Sequence, residues 1–263
     1  MAFNHQALLE NQPSDRLPGG LFEGECMKLF SLVQSLGSLA VIGAMVLVWG
    51  VPAAPAVMHF NWFIEAFDSP HAWLDALYTG LALSSAAVVY MVSMLAFSCF
   101  LQFLLHLRIK EHTIVPLQSF TTIRWAFCGQ IARCTRPALQ HFVPSFLANA
   151  YYRASGATIS IGAQINTAQI NDPCLLTIGE NVVIGGGAVI NGHLVERGEL
   201  IFSPITIGDG VLIGTGVMIQ PGVQIGAGAV IASQAVVPKY KVIPEGEVWG
   251  GIPARKIKDS SAR

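Results

Sequence analysis

Charge is what this sequence has least of. Asp, Glu, Lys and Arg make up 12% of its 263 residues, about half the share found in ordinary globular chains. The shortage is concentrated: no charged residue occurs between Lys28 and Glu65, or from Ala76 to Leu107. Positive charge is not in excess anywhere, and the net charge is −1. Nucleic acid is therefore not an expected partner, because its phosphates must be neutralised by many Lys and Arg side chains. The five cysteines, Cys26, Cys99, Cys128, Cys134 and Cys174, are odd in number, irregularly spaced and contain no CxxC. They read as free thiols, and no metal is expected. A phosphate-gripping GxxxxGK[ST] loop is missing, and Gly185–Gly187 belongs to a repeat rather than to a loop opening a helix. A nucleotidyltransferase domain is thus not expected. Residues 1–24 are polar and of mixed charge, and the first apolar run, from Leu29, is too long for the core of a cleaved signal.

What replaces charge is apolar side chain, at 52% of residues. The runs 29–51 and 77–105 both exceed the length of helix that a bilayer core takes, about 20 residues. Both are apolar on all sides, unlike a soluble amphipathic helix. They are expected to form a transmembrane hairpin over 29–107, with Pro52 and Pro55 closing the first span. The connecting loop holds Glu65, Asp68 and Asp75 and the anchoring candidates Trp62 and Trp73. Arg16, Lys28, Arg108, Lys110, Arg124, Arg133 and Arg136 flank the other side. The positive-inside rule then predicts an integral protein of a bacterial inner membrane with both termini in the cytoplasm. Residues 1–28 form a polar cytoplasmic N-terminus. In the connector 108–156, Pro116, Pro137 and Pro144 are expected to cut the chain into short helices. Phe120, Ile123, Phe127 and Ile131 recur there at helical spacing. Such a helix suits either the membrane interface or the underside of the next domain.

From Gly156 the period becomes six. Ile207, Ile213, Ile219, Ile225, Ile231 and Val237 stand six apart, and Gly208, Gly214 and Gly226 each follow one of them. Val211, Val217, Val223, Ala229 and Ala235 come four positions after the first five. Ile178, Ile184 and Ile190 repeat the pattern earlier, and Ile161–Gly162 reads as a degenerate start. A fixed period of this length predicts a parallel β-helix over 157–257, three hexads per triangular coil, with the branched residues pointing inward. The tail is 258–263. Between Ile190 and Ile207 the register slips, falling one position short of three hexads. The intervening stretch 191–206, with His193, Glu196, Arg197 and Glu199, lacks the repeat. It is expected to be a loop thrown out from a corner, where function tends to sit.

The hexads resemble those of the left-handed β-helix acyltransferases. The order SFTTIRWAFCGQI (119–131), YYRASGA (151–157), NGHLVERGEL (191–200) and WGGIPAR (249–255) resembles the membrane-associated terminal domains of polylysine-synthetase-like enzymes. The resemblance covers about 119–257, and the chain has no adenylation or carrier domain. It implies a left-handed coil, a homotrimer, and acyl transfer from acetyl-CoA or another acyl-CoA. His193 would be the base that takes the acceptor's proton, with Glu196 or Glu199 orienting its ring. Backbone amides near Gly214 and Gly226 would receive the pantetheine arm, Arg255 and Lys256 would meet the phosphates, and Trp249 would pack on the adenine or cap the prism. The acceptor would be a small or lipid-linked hydroxyl or amine at the cytoplasmic membrane face. A non-catalytic trimeric scaffold is the competing reading. A γ-type carbonic anhydrase needs three histidines, and the repeats hold only His193.

Overall fold

The computed structural model describes residues 20–67, 69–105, 109 and 111–259, without the side chains of residues 20–34 and 36. Arg16, Asp68, Arg108 and Lys110, the side chains of Cys26 and Lys28, and the tail beyond Asp259 lie outside the described residues. The chain divides into two units, 1–43 and 44–263. The first holds the beginning of α1 (Gly20–Ala66), where Leu39 and Ile42 are exposed. All that follows concerns the second.

Pro52 and Pro55 do not close the first helix; α1 runs through both to Ala66. Each proline removes one N–H from the ladder, a loss that long apolar helices tolerate. The helix α2 (Ala72–Leu105) follows after a short turn, so Trp62 and Trp73 stand on helices rather than in a loop. The stretches Gly37–Ala66 and Ala72–Leu105 are long and apolar enough to cross a membrane, and only 17% of each apolar window is buried within the protein. The two helices meet through a hydrogen bond between His59 and Ser85 at 2.9 Å and a ring contact between Phe67 and Tyr78.

The connector differs from its expected form. A strand, β1 (Thr113–Pro116), precedes α3 (Phe120–Gln140), which runs unbroken past Pro137, and α4 (Phe146–Ala154) follows. Ser119 and Ser145 cap the two helices, accepting from the N–H groups of Thr122 and Ala148. Arg124 of α3 donates to the carbonyl of Leu105 and so covers the carboxyl end of α2. Ile131, Cys134, Ala138 and Leu139 of α3 are buried, whereas Phe120 and Ile123 remain exposed. One face of α3 packs on α1 and α2 through Ile131 and Cys134, another meets the next domain through Trp125 and Arg136, and only its amino-terminal end keeps large apolar side chains exposed.

Five stacked coils make the β-helix. The first holds β2 (Thr158–Ile159), β3 (Gln164–Ile165) and the bridge residue Ile170; the second, β4 (Leu176–Ile178), β5 (Val183–Ile184) and β6 (Val189–Ile190). A hairpin of β7 (His193–Glu196) and β8 (Glu199–Phe202) then leaves the coil. The third coil is β9 (Ile205–Ile207), β10 (Leu212–Ile213) and β11 (Met218–Ile219). The fourth is β12 (Gln224–Ile225), β13 (Val230–Ile231) and β14 (Val236–Val237). The fifth ends the prism with β15 (Val242–Ile243), β16 (Glu247–Gly250) and β17 (Arg255–Asp259), the last antiparallel to β16. The three faces stack in parallel register, as Ile165, Ile184, Ile213, Ile231 and Trp249 do on one of them. Ile161 is not the degenerate start; it is 82% exposed, and Ile159, Ile165 and Ile170 fill the first coil instead. Each buried Ile contributes roughly 1.5–3 kcal/mol. The prism is closed at one end by Tyr151 and Tyr152 of α4 and at the other by Trp249, all within a single buried cluster that also takes in Leu95 of α2.

Corner glycines follow from coil spacing. A Cβ on Gly214 would stand 2.5 Å from the backbone nitrogen of Ser233 in the next coil, whereas one on Gly228 would meet open space. Gly228 needs only its left-handed backbone, φ +66. Gly214→Ala is therefore expected to cost more, about 2–3 kcal/mol from overpacking against backbone, than Gly228→Ala at about 1–2 kcal/mol. Thermal melts of the two variants in detergent check the order.

Candidate active site

The slip in register between Ile190 and Ile207 comes from one hexad carrying an inserted hairpin, not from three hexads with a position lost. Arg197 and Gly198 form its two-residue turn, both with positive φ (50 and 82), as a tight hairpin requires. The strand β1 pairs with β8, giving a three-stranded sheet in the order β1–β8–β7. The sheet stands at the corner that also carries residues 171–175 of the preceding coil.

His193 opens β7 at the foot of this hairpin. Its Nδ1 lies 2.6 Å from Oδ2 of Asp172. The same oxygen accepts from the N–H of Gly192 at 2.9 Å, and Oδ1 accepts from the indole Nε1–H of Trp125 at 3.0 Å. The Asp172 side chain is 2% exposed, so three donors replace the water it has lost. A carboxylate on Nδ1 fixes the tautomer with that proton in place. The lone pair then sits on Nε2, which has no hydrogen-bond partner among the described residues, and the ring is 23% exposed. Trp125 also packs edge-to-face on His193, with centroids 4.5 Å apart, and on Phe202 at 6.2 Å. The arrangement can take a proton at Nε2 and stabilise the resulting imidazolium through Asp172.

The sequence expectations separate here. His193 has a carboxylate partner, but neither Glu196 nor Glu199 supplies it. Those two face each other across the hairpin turn, three or more positions along the ladder, which is about 10 Å of strand. Glu196 pairs with Lys239, and Glu199 is exposed. Gly214 and Gly226 occupy the other two corners, and their N–H groups are spent on Ile231 and Ile243 in the coil ladder. They are not free for a pantetheine arm. Trp249 is 8% exposed, donates to Glu247 at 2.7 Å and lies under the ammonium of Lys241, so it serves as the lid of the prism. Lys256 is held by Glu247 and Asp259, whereas Arg255 is exposed with no ion pair among the described residues.

Neither Asp172 nor Trp125 is singled out by the sequence pattern. One signal was available: Asp172 precedes His193 by little more than the three hexads of one full coil, so the two belong to the same corner of successive coils. Trp125 comes from a helix outside the repeat, and no period points to it. A second histidine also reaches this corner from outside, since His112 meets the buried Ser203 at 2.8 Å and the ring of Tyr240.

Beside the dyad, a cavity of about 50 Å³ is lined by Gln102, Trp125, Cys128, Ala132, Asp172 and Cys174. Burial pushes the Cys128 thiol up to about 11. Burial and then the charge of Asp172 push Cys174 up to about 12. Both therefore stay protonated at neutral pH, and Cys174 leaves the Asp172 charge to its three donors.

Residues 204–239 match the family model described as bacterial transferase hexapeptide (six repeats). No curated protein matches the chain. Among solved structures, a hexapeptide-repeat acetyltransferase of Vibrio cholerae O1 biovar eltor, solved with acetyl-coenzyme A, is 27% identical. It aligns over 49% of this chain and 87% of its own, with a TM-score of 0.40. A maltose O-acetyltransferase of Clostridium difficile 630 is 21% identical over 58% and 98%, with a TM-score of 0.44. A galactoside acetyltransferase in complex with coenzyme A is 24% identical over 57% and 87%, with a TM-score of 0.43.

The raised thiols carry a direct test. At pH 8 their thiolate fraction is at least about 100-fold below that of an ordinary cysteine. Cys128 and Cys174 are therefore expected to be alkylated by iodoacetamide at least that much more slowly in the folded protein than in urea, as mass spectrometry would read.

Proposed function

We propose that this chain is a membrane-anchored acyltransferase that uses acetyl-CoA or another acyl-CoA, with His193 as the general base and Asp172 as the group that orients it. The observation that carries the reading is the 2.6 Å contact between His193 and a buried Asp172 at the one inserted hairpin of a hexapeptide β-helix. The match of residues 204–239 to a transferase model supports it. In the reaction, Nε2 of His193 accepts the proton as the acceptor hydroxyl or amine attacks the thioester carbonyl. The tetrahedral intermediate collapses by breaking the carbon–sulfur bond, and the imidazolium returns the proton to the departing thiolate. Asp172 orients the ring and stabilises the imidazolium.

Trp125 is a positioning residue in this scheme: it holds the second oxygen of Asp172 and one side of the imidazole. Glu196 and Glu199 take no part. Arg255, exposed and without an ion pair among the described residues, is available to meet a phosphate of the donor. A homotrimer in a left-handed coil is the assembly implied by the resemblance of the hexads. The exposed apolar side chains of α1 and α2, among them Leu47, Met58, Leu83 and Phe103, favour a bilayer around them, and cytoplasmic acyl-CoA favours the prism on that side. An apolar cavity of about 340 Å³ lined by Trp49, Met91, Met94 and Pro137 suits the chain of a lipid-linked acceptor.

Calorimetry with acetyl-CoA on the protein in detergent needs no knowledge of the acceptor. Wild type is expected to bind with micromolar affinity and His193→Ala to bind similarly; failure of wild type to bind any acyl-CoA would sink the transferase reading in favour of a scaffold. Once an acceptor is found, Asp172→Asn is expected to lower kcat by about 10²–10⁴-fold with little change in KM. A fall in kcat matched by an equal fall in the fraction of protein that binds acetyl-CoA would make Asp172 a merely structural residue.

A further inference from the structure

The corners of the prism carry a hydrogen-bond ladder of their own. At each, the residue with positive φ sends its N–H to a carbonyl of the preceding coil: Gly210 to Glu180, Gly216 to Gly186, Gly228 to Asp209, Gln234 to Thr215, Tyr240 to Pro221. Gly187 has the same backbone conformation, φ 68, yet its N–H has no partner among the described residues. The cause lies in the first coil. There the step from Ile165 to Ile170 is five instead of six, so the corner that should supply the carbonyl is one position short.

A cavity of about 270 Å³ opens at that point, between residues 166–169 and the carboxyl-terminal part of α3. Its polar wall is formed by Arg136, Gln140, Asn166, Gln169 and the backbone of Gly186 and Gly187. Arg136 is the one charged residue in the lining. Its Nη2 donates to Oδ1 of Asn171 at 2.8 Å, which fixes the guanidinium, and it makes no salt bridge among the described residues. A guanidinium carries five N–H donors, and this one shares the cavity with an unspent backbone N–H and side-chain amides. Convergent donors, one positive charge and no acid describe a receptor for oxygen acceptors that bear negative charge.

We infer that this cavity is a binding site for an oxyanion, the carboxylate or phosphate of a small molecule, distinct from the His193–Asp172 site. The volume lies just below the range for drug-sized ligand pockets, roughly 300–1,000 Å³, and so suits a small anion. The inference does not rest on acyl transfer. Where that reading holds, the anion is a handle on the acceptor, because Asn171 joins the two sites: it accepts from Arg136, donates to Asn191 and directly precedes Asp172.

The test is calorimetric titration of inorganic phosphate, acetate and neutral methyl glucoside into the full-length protein in detergent, using wild type, Arg136→Gln and Gln140→Glu. Gln140 is exposed and its side chain makes no hydrogen bond among the described residues, so the second variant adds a carboxylate one helical turn from Arg136, where it competes with an anion for the guanidinium. Expected are binding of phosphate or acetate by wild type, a loss of tenfold or more in both variants, and no binding of the glucoside. No anion binding by wild type, undiminished binding by Gln140→Glu, or glucoside binding as tight as the anion's overturns the inference. A parallel loss of acetyl-CoA affinity in both variants would assign the cavity to the donor and overturn its separateness; absence of acetyl-CoA binding by wild type bears on the transferase reading alone. Repeating the titration in nanodiscs names the source. Competition by phosphatidylglycerol over phosphatidylcholine supports a lipid headgroup, and its absence supports a soluble anion.

Discussion

Everything in the carboxyl-terminal half depends on how closely one coil lies on the next. The inward isoleucines of the inner coils stack at most 2% exposed, and the corners approach until a single methyl on Gly185 would press to 2.6 Å from the nitrogen of Thr215. Packing of that density has no room for local adjustment. A departure from the period of six must therefore go outward, as an insertion, or open a gap. Both happen here at neighbouring corners of the early coils: the step from Ile165 to Ile170 is five, whereas Ile170 to Ile178 is eight and Ile190 to Ile207 carries a hairpin. The hairpin of residues 193–202 is the outward solution and carries His193. The shortened step before Ile170 is the gap, and it leaves Gly187 without its carbonyl.

These two departures share a wall. One face of α3 presents Trp125, Cys128 and Ala132 to the corner of Asp172, then Arg136 and Gln140 to the corner of Gly187. Their spacing of three to four positions places them along one stripe, while Ile131, Cys134 and Ala138 turn to the helices on the other side. The helix thus converts irregularities of the repeat into enclosed chemistry: it supplies the indole that completes the shell of a buried carboxylate, and the guanidinium that charges the second cavity.

The period of six made the prism legible residue by residue, because Ile207 to Val237 occur at a spacing that only a stacked coil explains. The runs without charge likewise announced two long apolar helices. His193 was legible as the exception to a regular pattern. Its partner was not, because the nearest carboxylates in sequence, Glu196 and Glu199, lie along a strand from it, and proximity in a prism is measured in whole coils of three hexads. Pro52, Pro55 and Pro137 read as stops and proved to be interior; a helix with enough apolar contact absorbs the missing donors. The pairing of β1 with β8 left no local mark, since only the short stretch Thr113–Pro116 forms that edge.

Trp125 gives the helices a standing that the word anchor does not convey. A stacked prism could in principle be a self-contained cylinder, yet in this chain its first coil is roofed by Tyr151 and Tyr152, and the hydrogen-bond shell of Asp172 is finished by a residue 47 positions upstream. Leu95 of α2 belongs to the same buried cluster as the first isoleucines. The corner of His193 is accordingly not portable. Cut free at residue 157, the cylinder would keep its column of isoleucines and lose both its roof and one of the three donors that hold its carboxylate.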